Sequence, residues 1–412
     1  MKGKHVVMLS SGQPSLNPRL VKEADALSDA GYQVTVIYAY WNNWGTLHDE
    51  RLLTAKNWKA IRAGGDPQQK PLTYFVSRLI HKTCKFIQQK SGNFTRFTDL
   101  AVARSSYYLI KEAKKTKADL YIGHNLGALP AVIAAAKKHN AKCGFDTEDF
   151  HRNEVSDDTG SFNYKIAKYL EDKYLPLVDY ITASSPLIAE KYSELYNRKV
   201  TPVLNVFPKT IIPIIINNND SPLKLFWFSQ TIGPNRGLET LIEAVGLLQT
   251  PIEMHLLGQP VDGYKLQLSQ LAEMGRITNL KIFFYEPVEA DKVFQFASKF
   301  DIGIASETNV CLNREISLTN KIFTYIQSGL AVAASNTLAQ NELLQQYPQT
   351  GKIYTDAREL SAILKRYDAD RKLLFETKNE AFKIGQTQLN WEKEHEKILH
   401  VIETTLAHLP KK

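Results

Sequence analysis

Cysteine is scarce in this chain, and acid is in deficit. Only three cysteines occur in 412 residues: Cys84, Cys143 and Cys311. The number is odd and the spacing wide, which excludes a disulfide framework and any paired-cysteine metal motif. A reduced cytoplasm is the simplest setting. No stretch approaches the roughly 18 apolar residues of a membrane-spanning helix. Lys2 and Lys4 precede only a very short apolar strand, so no signal peptide is expected. The apolar fraction of 43% is ordinary for a soluble protein, and 412 residues predict two domains with substantial cores.

The net charge of +8 is unevenly placed. Arg51 to Lys117 carries 15 Lys/Arg against three acids, Asp66, Asp99 and Glu112, which is +12 and leaves −4 for the rest. Inside this block residues 72–87 are periodic. On a helical wheel Leu72, Phe75, Val76, Leu79, Ile80, Phe86 and Ile87 share one face, and Arg78, His81, Lys82 and Lys85 the adjoining one. That is the pattern of a basic amphipathic helix on an anionic membrane. The same periodicity fits a core-packed helix with a solvated outer face. No nucleic-acid reader motif accompanies the charge, and no nucleic acid is expected.

Strands and helices alternate along both halves. In the first, Val6–Ser10, Gln33–Ala39, Leu120–Gly123, Lys142–Asp146, Tyr180–Ser184 and Thr201–Leu204 read as strands, with helices between them. Residues 208–222 break the rhythm and read as a connection. The second half alternates again from Leu225–Ser229 to Lys352–Tyr354, and two helical segments close the chain. The predicted class is α/β: two doubly wound, Rossmann-like domains, 1–207 and 223–385, facing a cleft, with residues 386–412 as a helix returning to the first domain.

Three strand–loop–helix units put a cation in the first turn of a helix, where the dipole already favours anions. Arg19 follows the N-cap Asn17 and Pro18 at N1. Arg236 follows the turn Ile232-Gly233-Pro234-Asn235. Lys321 follows the polar turn of Ser317, Thr319 and Asn320, in a helix that Gly329 ends. The conflict disappears when a shared polyanion such as a diphosphate docks at those helix starts.

Further pieces carry a family likeness. They are residues 227–233 through Arg236-Gly237-Leu238-Glu239, Leu256-Leu257-Gly258, and residues 317–325 through Gly329-Leu330-Ala331-Val332 in the second half. Asn17-Pro18-Arg19, residues 31–36, His124-Asn125, Leu177-Val178-Asp179 and Thr182-Ala183-Ser184 follow in the first half, and Asn390-Trp391-Glu392 near the end. Together they resemble GT-B-fold glycosyltransferases, most like the retaining enzymes of glycosyltransferase family 4. The resemblance implies a nucleotide diphosphate sugar held mainly by the second domain, an acceptor on the first, and no metal or other cofactor. Arg236, Lys321, Gly12, Asn320 and Gly233 would hold the diphosphate, and peptide groups near residues 285–288 the base. Thr324 and Ser317 would face the ribose and sugar. His124 and Glu315 would be catalytic, and Arg19, Glu148 and Asp149 would lie on the acceptor side. The acceptor class implied is lipid-linked or polysaccharide.

This sequence departs from the family pattern in places. Relatives carry Glu where Thr324 stands, and a hydroxyl accepts more weakly than a carboxylate. Glu307 and Glu315 mimic the family's Glu-x7-Glu spacing in the wrong register, which reads as accidental for Glu307. Asp368-Ala369-Asp370 looks like a metal motif but reads as a solvated turn. A non-catalytic nucleotide-sugar-binding scaffold and a sugar-nucleotide epimerase are the competing functions.

Overall fold

The computed structural model describes residues 3–92, 94–95, 97–212, 221–290 and 292–407. The chain divides into two compact units. One comprises Met1–Val203, Cys311–Asn313 and His395–Lys412, the other Leu204–Val310 and Arg314–Glu394. Of the expected connection 208–222, residues 213–220 lie outside the described residues.

The first unit is built on seven strands: β1 (His5–Ser10), β2 (Gln33–Ala39), β3 (Lys59–Ala63), β4 (Leu120–His124), β5 (Lys142–Thr147), β6 (Tyr180–Ala183) and β7 (Thr201–Pro202). All pair in parallel, in the order β3-β2-β1-β4-β5-β6-β7. Central strands of such a sheet are covered on both faces, so they read as unbroken apolar runs. Val6 to Leu9 of β1 is one, with every side chain inaccessible to solvent. β3 and the helix Asn43–Thr54 escaped the sequence reading. β3 is an edge strand, Lys-Ala-Ile-Arg-Ala, and its charges blunt the edge while hiding the strand pattern.

The second unit has six parallel strands: β8 (Leu223–Ile232), β9 (Ile252–Pro260), β10 (Leu280–Tyr285), β11 (Ile302–Ala305), β12 (Ala331–Ser335) and β13 (Gly351–Tyr354). Their order is β10-β9-β8-β11-β12-β13. In each unit the strand order reverses once, between β1 and β4 and between β8 and β11. Ligands of doubly wound sheets bind beyond the carboxyl ends of the strands at such reversals.

Local signals place the helices that follow. Asn17 caps the helix Pro18–Asp29 by accepting from the Leu20 N–H, with Pro18 at N1. Gly329, at φ 68°, stops the helix Asn320–Gln327 and releases the chain into β12.

Candidate functional site

At the reversal of the second unit, β8 runs into a loop that places Arg236. Asn235 and Gly237 both adopt left-handed backbone (φ 60° and 75°). A Cβ on Gly237 would stand 2.7 Å from Ser306 Cβ, so only glycine lets the loop close on the end of β11. Ser306 Oγ donates to the Arg236 carbonyl (2.6 Å) and accepts from Trp227 Nε1 (3.0 Å). The Arg236 guanidinium donates to Ser229 Oγ (3.0 Å) and forms no ion pair among the described residues.

Lys321 approaches the same tryptophan, its Nζ 5.7 Å from the Trp227 ring. It is 9% exposed and ion-paired with Glu307, Nζ to Oε1 at 2.5 Å. Thr319 donates its hydroxyl to the same oxygen (2.9 Å), and Arg314 Nη1 lies 3.5 Å from Oε2. Thr319 therefore does not cap the helix Asn320–Gln327 with its side chain. The helix start has no side-chain cap from Thr319 and stands beside a cation, which suits an anion. Ser306 thus fixes the Arg236 backbone and Glu307 the Lys321 ammonium, both just past the end of β11.

At the reversal of the first unit, charge is buried rather than presented. Arg19 is fully buried and donates to both oxygens of Asp146 (Nε 2.5 Å, Nη2 2.8 Å) and to the Val203 carbonyl (2.6 Å). His124, also fully buried, has Nε2 2.9 Å from Glu23 Oε2, and Nδ1 3.4 Å from both Asp146 and Glu148. Burial depresses the imidazole pKa, but Glu23, Glu148 and Asp146 outweigh it and lift it to about 10. Burial pushes the Asp146 carboxyl up, and Arg19 and His124 more than reverse this, leaving it below the usual range. Glu148 is the solvent end of this network: its side chain is 26% exposed and accepts from Asn17 Nδ2.

Glu23, His124 and Asp146 have the donor types of a metal centre, their atoms within 4.8 Å of one another. Both Asp146 oxygens, however, already accept from Arg19, whose charge stands where a cation would be needed. The trio reads as an ion-pair network.

No family model matches the chain, and no curated protein does. Solved structures do. Over 97% of this chain and all of the other, it superposes on Anabaena Alr3699/HepE in complex with UDP at TM-score 0.66 and 15% identity. A glycosyltransferase from Rickettsia africae matches at 0.65 and 12% identity, covering 98% of this chain and all of that one. TarM of S. aureus, solved with UDP, fondaparinux and alpha-GlcNAc-glycerol, matches at 0.65 and 11% identity, with 97% and 99% covered. The fold is GT-B.

Within the GT-B frame the sequence-predicted residues fall into two groups, and a third group was not predicted. Arg236, Lys321 and Gly233 lie around the second reversal, with Asn320 exposed at the helix start, its Oδ1 accepting from Asn205 (3.0 Å). Gly12 follows β1, where a Cβ would meet nothing nearer than Ser10 Oγ at 3.9 Å. The described residues make no demand for glycine there. Glu148 is half-exposed at the first reversal.

The second group is turned to structural work. Arg19 is locked in the core by Asp146 and offers no guanidinium to a ligand. His124 has carboxylates at both ring nitrogens and no exposed surface, so it does not reach an anomeric carbon in this conformation. Glu315 accepts from the Leu338 N–H (3.2 Å) at the start of the helix Leu338–Gln346. Asp149 accepts from Asn313 Nδ2 (2.8 Å). Thr324 and Ser317 are buried, at 1% and 9% exposure.

The third group is what sequence reasoning passed over. Glu307 is the partner of Lys321, although its spacing looked accidental. Its place one residue beyond Ser306, just past the end of β11, was the available signal. Glu23 and Asp146 are likewise invisible as partners without the fold. Asp368 lies in the last turn of the helix Ala357–Ala369, rather than in the solvated turn expected, and pairs with Arg371, while Asp370 caps the helix Arg371–Thr387.

The raised His124 value has a measurable consequence. An unfolded histidine loses its proton near pH 6.5, the folded one near 10. Its stabilisation is complete below about pH 6.5 and drains away as pH rises toward 10. His151, buried but lifted to about 9 by Glu154, acts with the same sign. The melting temperature should therefore fall steadily between about pH 7 and pH 10. A flat profile across that interval, read by circular dichroism at constant ionic strength, would contradict this account.

Proposed function

We propose that the chain is a glycosyltransferase of the hexosyltransferase type. It moves a sugar, with retention, from a nucleotide diphosphate sugar to a lipid-linked or polysaccharide acceptor in cell-envelope glycan synthesis. The observation carrying this is the set of contacts at the reversal of the second sheet, where Ser306 bonds both the Arg236 carbonyl and the Trp227 indole, and Lys321 Nζ lies 5.7 Å from the same indole. Two cations beside uncapped helix N–H groups suit a diphosphate leaving group.

In the reaction the bond from the anomeric carbon to the β-phosphate oxygen breaks, and a bond to the acceptor oxygen forms on the same face. The acceptor proton passes to the departing phosphate. Arg236 and Lys321 neutralise the charge that gathers there, and Gly12 leaves space for donor or acceptor. Glu148, half-exposed and oriented by Asn17 and His124, receives acceptor hydroxyls. Work in the cytoplasm, peripheral to the inner face of the membrane, agrees with the basic segment 72–87 and with the lack, among the described residues, of a helix long and apolar enough to cross a membrane.

The test is an assay of nucleotide diphosphate release across a panel of nucleotide sugars, with and without lipid-linked acceptor. UDP-sugars head the panel because HepE and TarM were solved with UDP. Release that requires acceptor is the expected result, and the anomeric configuration of the product reads retention. Binding without turnover would favour a non-catalytic nucleotide-sugar scaffold, which the buried Thr324 in place of a carboxylate motivates.

A further inference from the structure

The helix Pro71–Ser91 is docked by what should be its outer side. Its buried residues are Ser77, Cys84 and Gln88. Ser77 Oγ bonds the Tyr74 carbonyl (2.9 Å), and Gln88 accepts from Thr98 Oγ1 (2.8 Å). The opposite face carries Leu72, Phe75, Val76, Leu79, Phe86 and Ile87, all exposed, with Leu72 at 83% and Phe75 at 68%. An ordinary surface helix turns its apolar stripe to the core. Here six large apolar side chains in one helix face outward, a patch that marks an interaction site.

The surface continues beyond this helix. Tyr74 meets Tyr40 edge-on (5.6 Å between ring centroids), and Gln68 donates to Asn43 Oδ1 (3.0 Å), joining the helix start to the segment opening the helix Asn43–Thr54. There Trp41, Trp44 and Leu47 are exposed at 47%, 53% and 57%. Arg104 stacks over the Trp41 ring at 4.2 Å.

We propose that these two helices form one monolayer-inserting face, which seats the first unit on an anionic lipid bilayer. Leu72, Phe75, Leu79 and Phe86 enter the acyl region, Trp41 and Trp44 sit at headgroup level, and Arg78, Lys82 and Lys85 along one flank meet lipid phosphates. Charge selects this occupant. Residues 71–91 contain no Asp or Glu, so a second copy of the chain would bring like charge against like. The proposal deepens the peripheral-membrane part of the function above and rests on it, but its test does not use glycosyl transfer.

The test is flotation of the full chain with phosphatidylcholine vesicles and with vesicles containing one-third phosphatidylglycerol. Binding to the anionic vesicles, weakened by salt, is expected. Leu72→Ser with Phe75→Ser should lower it about tenfold or more, and Arg78→Glu with Lys82→Glu should remove the anionic preference. All four positions are at least partly exposed, so folding should be kept, as unchanged circular dichroism would verify. Brominated acyl chains should quench tryptophan fluorescence. Trp58, Trp227 and Trp391 are buried, so quenching reports Trp41 and Trp44. Binding without quenching would overturn the two-helix face while leaving peripheral association standing. Wild-type binding retained by both double variants would overturn the whole assignment, as would self-association in place of vesicle binding. Nucleotide binding measured on the same samples keeps these failures distinct from a failure of the donor site.

Discussion

Asp146→Ala should be the most destabilising single substitution at either strand reversal. Asp146 receives both arms of Arg19, the Thr182 hydroxyl (2.6 Å) and the approach of His124. Its loss strands a fully buried guanidinium with only the Val203 carbonyl, and leaves the protonated His124 with one fewer counterion. Breaking one partner of a buried ion pair costs about 3–5 kcal/mol, against a total stability of about 5–15 kcal/mol for a whole protein. For a unit of this size the melting temperature should drop by roughly 10 °C, and much of the protein should be insoluble. The double change Arg19→Met with Asp146→Leu should recover a large part of the loss, because it removes both charges together. A single variant melting within about 2 °C of the parent would refute the network's role.

Lys321→Ala should be the most damaging change to donor binding. The Lys321 ammonium is held by Glu307, and a diphosphate must draw it away. Removing the lysine deletes a cation and leaves the Glu307 carboxylate, only 7% exposed at its side chain, facing the same space. Both effects oppose an anionic ligand, so affinity for the nucleotide diphosphate should fall by about 10²-fold, and kcat/KM by about 10²–10³-fold. Lys321→Ala with Glu307→Gln should recover part of the affinity, since the repulsion is gone, but little of the turnover. Arg236→Ala should weaken binding less, because Arg236 is held by a hydroxyl and leaves no buried charge behind. Calorimetric titration with the nucleotide diphosphate, beside steady-state kinetics, separates these outcomes. Unchanged binding in both Lys321→Ala and Arg236→Ala would remove the diphosphate assignment.

The architecture was legible where local signals agree with tertiary ones. Asn17 as N-cap, Pro18 at N1 and Gly329 after its helix are short-range chemistry, and the fully covered parallel strands leave plain apolar runs. β3 was lost because Lys59 and Arg62 break the apolar pattern of a five-residue edge strand. The site was legible only in part. Arg236 and Lys321 stood out because a cation at a helix start conflicts with the dipole. The same argument misplaced Arg19, whose conflict is settled by a buried carboxylate 127 residues away rather than by a ligand. His124 was likewise placed correctly at a strand end, but its partner Glu23 comes from the facing helix. Neither pairing has a sequence period. The outward apolar stripe of 72–87 was visible as a periodicity, whereas the docked side, where Ser77, Cys84 and Gln88 are buried and Gln88 meets Thr98, has no such period.

The first compact unit includes residues from His395 onward, with Ile398, Ile402 and Leu406 buried. A nascent chain therefore cannot finish its first domain while that domain alone has left the ribosome. The second domain must be translated first, before those three apolar side chains arrive to close it. The interval leaves an open apolar seam on an otherwise assembled sheet, and chaperones that bind such surfaces should engage the nascent protein throughout synthesis of the second domain. Ribosome-bound chains arrested shortly before residue 395 should accordingly be far more protease-sensitive in their first 203 residues than chains that have been released.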